Sequence, residues 1–259
     1  MPYGNQLLNA LPVKDLHRLE EHLSLTPLRA RQILHWPGQA IDYVYFIEDG
    51  LVSVLASTGN DLPIQVWLIG REGLVGLPAI LDGFASPHRR VVELPGHAFR
   101  IRSAVLKQFM HQSVFLNQVL LRYVQANLIQ ASQSGACAAR HSAKQRIARW
   151  LLLAHDRVLG DQIPLTHSLL SRLLGVRRAT VTVSLGMLEK DGSIRQRRGM
   201  VVVTDRERLQ RATCICYGII ASAYESVPVS LTKGRFCDAL SRETATMGSR
   251  QAREAMLRP

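Results

Sequence analysis

Between Ile33 and Ile101 the apolar residues fall into short runs, each closed by turn-forming residues. Ile41–Ile47 ends at Glu48-Asp49-Gly50, Leu51–Ala56 ends at Thr58-Gly59-Asn60-Asp61, and Ile64–Ile69 follows. Tyr43 and Tyr45, then Val52 and Val54, alternate as a half-buried strand requires. The Asp49-Gly50 pair supplies the positive φ of a tight turn. This spacing predicts antiparallel strands and hairpins closing into a β-roll or barrel. Ahead of it, Leu7–Leu25 has apolar residues at 8, 11, 16, 19 and 23 with Lys, His and Glu between them, predicting a small helix packed on the sheet.

The period changes after Arg102. Leu106, Phe109, Leu116, Leu120 and Tyr123 stand mostly three, four or seven apart, with no Pro or Gly before Gly135, which predicts a long helix. Leu116, Leu120, Tyr123 and Asn127 keep a 4-3-4 rhythm. Two arrangements use such a stripe: the seam of a paired helix with Asn127 fixing register, or a helix that covers the sheet. Gly135–Ser142 reads as a bend, and Lys144–Val158 resumes a helix with Ile147, Trp150, Leu151 and Leu153 as its apolar cluster.

Residues 164–188 carry the most specific pattern. Thr166 stands where it can cap a helix whose apolar face is Leu169, Leu170, Leu173 and Leu174, and Gly175 follows as a left-handed stop. A second helix starts almost at once, with a stripe of Val181, Leu185 and Leu188, opening on Arg177, Arg178, Thr180 and Thr182. Two helices joined through a glycine turn, the second beginning with arginines and small hydroxyls, make a helix-turn-helix. A helix N-terminus favours phosphate, and an arginine fork matches the O6 and N7 of guanine. Ser193–Val203 then reads as a strand, a basic turn at Arg197-Arg198-Gly199 and an apolar strand, the wing of a winged helix. The expected DNA contacts are Thr166, Ser168, Arg177, Arg178, Thr180, Thr182, Arg197 and Arg198, the last two on phosphates.

Charge supports this placement. The 259 residues hold 32 Lys and Arg against 20 Asp and Glu, a net charge of +12. Residues 140–210 carry 14 basic and 6 acidic side chains, whereas residues 1–139 carry 11 and 10. The excess that attracts a polyanion therefore coincides with the helix-turn-helix. No apolar stretch approaches the roughly 18 to 20 residues of a spanning helix, and Met1–Ala10 lacks the layout of a signal peptide, so a cytoplasmic protein without membrane contact is expected. Cys137, Cys214, Cys216 and Cys237 are too few to staple such a chain and are read as free thiols.

The order of β-roll, long helix, helix-turn-helix and wing, with Leu174-Gly175-Val176-Arg177-Arg178-Ala179-Thr180-Val181-Thr182 inside it, resembles the cyclic-AMP receptor and Fnr (Crp/Fnr) superfamily of bacterial transcription regulators over about residues 30–210. Regulators of this kind lay the second helix of the motif in the major groove. The resemblance implies an α+β chain divided into a cyclic-nucleotide-binding-like β-roll (1–102), a long dimerisation helix and hinge (103–139) and a winged helix-turn-helix (140–210). Beyond it lies a C-terminal extension (211–259), partly mobile, whose stretch from Ser222 to Pro259 is rich in Ser, Thr, Ala and Arg with little apolar periodicity and is expected to be mostly mobile with a short helix. It also implies a homodimer with Leu116, Leu120 and Tyr123 as its seam, a palindromic double-stranded operator, and contact with RNA polymerase. Arg178 matches a base-reading arginine of the family, but Ala179 and Val183 replace its neighbouring Glu and later Arg, so a different operator is expected.

In the roll, Ile69–Gly76 resembles the phosphate-cassette strand, with Glu72 near the carboxylate that takes a ribose hydroxyl. The family's Arg-Ser pair is missing. Ser86-Pro87-His88-Arg89-Arg90 stands there instead, and Pro87 removes a backbone donor. The effector pocket is assigned to Gly70, Glu72, Arg89 and Arg90, its small-molecule effector is unknown, and no response to cyclic AMP is expected. An Fnr-type iron–sulfur cluster needs thiolates near the N-terminus, and the first cysteine is Cys137. Cys214 and Cys216 are read as an inert pair, and no cofactor or metal is expected. A cupin-like metal enzyme using His35, His88 and His97 is the competing class, but it lacks a paired His-x-His, and no catalytic residue is assigned. A polyanion-binding scaffold without sequence preference is the third reading.

Overall fold

The computed structural model describes residues 3–59, 62–83 and 85–227. The expectation of a partly mobile tail falls mostly on 228–259, and Cys237 with it, outside the described residues. The chain opens with two short helices, α1 (Gln6–Asn9) and α2 (Val13–Glu20), where the pattern predicts one. Pro12 separates them at the N-cap of α2. The buried Asn5 side chain accepts from the amides of Leu7 and Leu8 and donates to the carbonyls of Ile47 and Gly73, tying α1 to the roll.

The roll follows as β1 (Ser24–Leu28), β2 (Ile33–His35), β3 (Tyr43–Ile47), β4 (Leu51–Ala56), β5 (Ile64–Ile69), β6 (Leu74–Val75), α3 (Leu77–Ile80), β7 (Arg89–Leu94) and β8 (Gly96–Arg102). It consists of two four-stranded antiparallel sheets, ordered β1-β8-β3-β6 and β2-β7-β4-β5. Gly50 has φ +88°, as the Asp-Gly pair predicts, but the turn passes the chain from one sheet to the other instead of closing a hairpin. β4 is buried along nearly its whole length because it lies between β7 and β5 with both faces covered. The inside of the roll is filled by Leu28, Ile47, Val52, Val54, Ile69, Val75, Val92 and Ala98.

Two helices, not one, follow Arg102: α4 (Ser103–Gln112) and α5 (Val114–Arg140). Ser113 breaks the run and caps α5 by accepting from the Leu116 amide. The expected bend at Gly135 is absent, and the helix continues to Arg140. Leu116, Leu120 and Tyr123 are 2%, 0% and 0% exposed, so the seam expected there is instead the face that α5 lays on its own chain. The Tyr123 hydroxyl donates to the Leu74 carbonyl, and a side chain at Gly73 would collide with that hydroxyl, so only glycine admits this approach. Asn127 fixes no intermolecular register either: its Nδ2 donates to the Tyr123 carbonyl and its Oδ1 accepts from the Tyr224 hydroxyl.

The remaining elements are α6 (Ala143–His155), β9 (Gln162–Pro164), α7 (His167–Leu174), α8 (Arg178–Lys190), β10 (Ile194–Arg197), β11 (Met200–Val203), α9 (Arg206–Ala212) and α10 (Cys216–Glu225). Ser142 and Gln145 form a reciprocal capping box that starts α6 two residues after α5 ends. The segment read as the beginning of a loose extension holds α10, which packs on α5 through Ile220, Ala223 and Tyr224. No helix among the described residues is long and apolar enough to cross a membrane.

Candidate nucleic-acid interface

Local sequence builds the helix-turn-helix as expected. Thr166 Oγ1 accepts from the Leu169 amide and caps α7, while Leu170, Leu173 and Leu174 are buried. Gly175 ends α7 in the left-handed conformation at φ +61°, where a side chain would be strained. Ser171 closes the turn from both sides, its hydroxyl donating to the Val176 carbonyl and its carbonyl accepting from the Val176 amide. α8 buries Val181, Ser184, Leu185 and Leu188 on one stripe and leaves Arg178, Ala179, Thr182, Val183, Gly186 and Met187 exposed on the other.

Arg177 occupies the N-cap of α8 but makes no side-chain cap, so the first-turn amides retain their capacity to meet an external anion. Thr166, Ser168, Arg177, Arg178 and Thr182 are exposed, and Thr180 is half-buried. The wing pairs β10 with β11, placing Arg198 and Gly199 at its tip and Arg197 opposite Met200. β9 joins as the third strand beside β11. Arg177, Arg178, Arg197 and Arg198 make no side-chain hydrogen bond or ion pair with any described residue, which leaves their donors available to phosphate or a base.

One positioning device has no signature in the sequence. His167, in the first turn of α7, lies 2.9 Å from Thr182 Oγ1 through Nδ1 and 2.8 Å from Gln196 Oε1 through Nε2. Gln196 in turn donates to Glu189 from its backbone and side chain, at 2.6 and 2.8 Å. This chain of contacts links α7, α8 and the wing strand β10, so the two candidate contact elements are set relative to each other. Its members lie 7 to 29 residues apart, and no local spacing announces them.

Residues 145–212 match the family model of a Crp-like helix-turn-helix domain, and residues 25–113 match that of a cyclic nucleotide-binding domain. The chain belongs to the Crp/Fnr superfamily. It is a transcription regulator with a helix-turn-helix DNA-binding domain. Its fold is similar to that of FixK2 from Bradyrhizobium japonicum, at 17% identity and TM-score 0.65, covering 74% of this chain and 98% of that one. A Crp/Fnr-family regulator from Eubacterium rectale aligns at 16% identity and TM-score 0.61, covering 80% and 96%. The c-di-GMP-responsive regulator CLP of Xanthomonas campestris aligns at 19% identity and TM-score 0.56, covering 74% and 99%. No curated protein sequence matches the chain.

In this Crp/Fnr chain the four expected effector-pocket residues have different surroundings. Glu72 is 8% exposed and its Oε1 accepts from Arg157 Nε at 2.8 Å. Both Glu72 oxygens also accept from the Gly70 amide. Arg157, from the segment after α6, is itself 3% exposed; it donates to the Leu153 carbonyl and Gln130 Oε1, and stacks 5.1 Å from the Tyr224 ring. Arg90, 3% exposed, donates to the His88 carbonyl and has no carboxylate partner among the described residues, and burial pushes its pKa down to about 10. Arg89 is half-buried beside the exposed Pro87. The Crp/Fnr roll also touches its own DNA-binding domain: Trp150 Nε1 donates to Gln65, and Arg172 lies 3.8 Å from Glu93. His35, His88 and His97 are not gathered into a metal site; His35 Nε2 meets the Tyr43 carbonyl, and His97 sits exposed beside Asp49.

Proposed function

We propose that the chain acts in the cytoplasm as a homodimeric, sequence-specific regulator that binds a palindromic operator, contacts RNA polymerase, catalyses no reaction and does not respond to cyclic AMP. The observation that carries sequence reading is the uncapped α8 N-terminus, with the exposed Arg177 and Arg178 unengaged beside the small, exposed Ala179. Arg178 reads a base, Arg177, Thr180 and Thr182 support it, Thr166 and Ser168 meet the backbone, and Arg197 and Arg198 follow phosphates.

Dimerisation uses a different stripe of α5 from the one that faces the core. Val114, Leu121 and Leu128 recur every seven residues and are 71%, 47% and 63% exposed. Gln118 and Gln125 lie between them, and Gln118 Oε1 is buried without a hydrogen-bond partner. A second α5 on this stripe would cover Val114, Leu121 and Leu128. The cyclic-AMP reading is disfavoured because the carboxylate that would take the ribose is already engaged by the buried Arg157.

Enrichment of bound fragments from a random DNA library tests the proposal. It predicts an inverted repeat whose half-sites lie about one helical turn apart, bound by two chains. Recovery of fragments with no common sequence would overturn it in favour of a polyanion scaffold.

A further inference from the structure

The last turn of α5, the bend into α6 and the entry to α10 converge on four side chains: Cys137, His141, Cys214 and Cys216. Their ligand atoms all lie within 4.8 Å of one another. Cys137 Sγ is 3.6 Å from Cys214 Sγ, and Cys216 Sγ is 3.4 Å from His141 Nδ1. The three cysteines are buried and free of disulfides. Around a tetrahedral zinc ion, with Zn–S of about 2.3 Å and Zn–N of about 2.0–2.1 Å, two sulfurs stand about 3.8 Å apart and a sulfur and nitrogen about 3.5 Å, because the edge of a tetrahedron is about 1.6 times the bond. The Cys137–Cys214 and Cys216–His141 separations lie close to those edges, and all four ligand atoms fit within 4.8 Å, so a small inward shift closes the tetrahedron. Ligands of a multi-iron cluster sit on separate irons and would be spread more widely.

Charge points the same way. Three thiolates, a neutral imidazole and a divalent ion leave one net negative charge. Arg149, 6% exposed, and Arg146 both act electrostatically on Cys137, and neither meets a carboxylate among the described residues. The Nε of each is buried without a hydrogen-bond partner. Gln133 Nε2 donates to Cys216 Sγ at 3.2 Å, the kind of outer contact that stabilises a metal-bound thiolate.

We propose that Cys137, His141, Cys214 and Cys216 form a closed zinc site that pins the junction of α5 and α6 to the start of α10. Metal uptake replaces the thiol protons, so each cysteine that binds as thiolate releases one proton to solvent and no oxidant or reductant is involved. Four protein ligands leave no open position, which makes the site structural. It fixes the bend through which the long helix meets the DNA-binding domain. Cys214 and Cys216 alone give no such site; the fold supplies Cys137 and His141 from more than 70 residues upstream.

The full chain, purified without chelator, should contain about one zinc per chain by elemental analysis. Cobalt(II) added to the stripped protein should give the intense visible bands and near-ultraviolet thiolate charge-transfer of a tetrahedral Cys3His site. Cys214→Ser should lose most of the metal and the charge-transfer intensity, and His141→Ala should shift the visible bands. If Cys214→Ser does not fold, the cobalt spectrum of the unaltered protein still decides the point. Metal-free protein showing no cobalt thiolate band would overturn the site, as would metal content unchanged in Cys214→Ser. Stoichiometric iron with acid-labile sulfide would overturn it in favour of a cluster.

Discussion

Leu120 and Leu121 are adjacent in sequence and face opposite ways, so replacing each separates folding from pairing. Leu120 is fully buried against the roll, whereas Leu121 and Leu128 are 47% and 63% exposed. Fully burying a leucine is worth roughly 1.5–3 kcal/mol, so covering the exposed half of each contributes about 1 kcal/mol. A symmetric pair covers four such leucines, about 4 kcal/mol in all, or near a thousandfold in dimer Kd. Leu121→Ala combined with Leu128→Ala should therefore weaken the dimer by about that factor and leave the fold within about 0.5 kcal/mol per site. Leu120→Ala should cost roughly 2–5 kcal/mol of folding stability, because its neighbours can only partly close the cavity. Sedimentation velocity across a concentration series, with thermal melts of the same samples, distinguishes the two. A double variant that remains dimeric at the concentrations where the unaltered protein is dimeric would show that the exposed stripe is not the seam.

Further outcomes follow from named groups. Burial holds the His35 pKa at about 4 against about 6.5 in the unfolded chain, so only the unfolded state takes the proton between those values. Stability from this group is complete above about pH 6.5 and falls by roughly 3 kcal/mol as the pH drops to about 4; denaturant melts of His35→Gln should show a shallower acid slope, and an unchanged slope would refute the assignment. Glu72→Gln breaks a buried pair and should destabilise the chain by about 3–5 kcal/mol in the same melts, while cyclic AMP should change the operator affinity of the unaltered protein by less than about fivefold, or roughly 1 kcal/mol of coupling. Replacing Arg197 and Arg198 with Ala should weaken operator and random DNA alike and make the salt dependence shallower by about 0.9 per lost phosphate contact, whereas a loss confined to the operator would make the wing a base reader.

What the sequence discloses depends on how far apart the determining residues lie. The helix-turn-helix is legible because its cap, leucine stripe and left-handed stop occupy Thr166 to Gly175, one continuous segment. The roll is legible as strands and turns, but not the crossing of Gly50 between sheets, which depends on where β8 and β7 pair. Periodicity locates an apolar stripe on α5 without revealing whether it meets the same chain or another. A second stripe, offset by one position at Leu121 and weaker in pattern, is the one left open. Arg157, the partner of Glu72, lies 85 residues away, and no motif links them. The same kind of separation hides the four-ligand cluster behind an ordinary Cys-x-Cys.

The base-reading role of the second helix is tested most directly by Arg178→Ala, with affinities for the selected operator and for random DNA measured at the same salt concentration. Arg178 is exposed in the first turn of α8 with its guanidinium unengaged, so its loss should cost about 1–3 kcal/mol on the operator and much less on random DNA, relaxing preference at one position per half-site. Equal losses on both DNAs would contradict base reading by Arg178 and make that side chain a phosphate anchor.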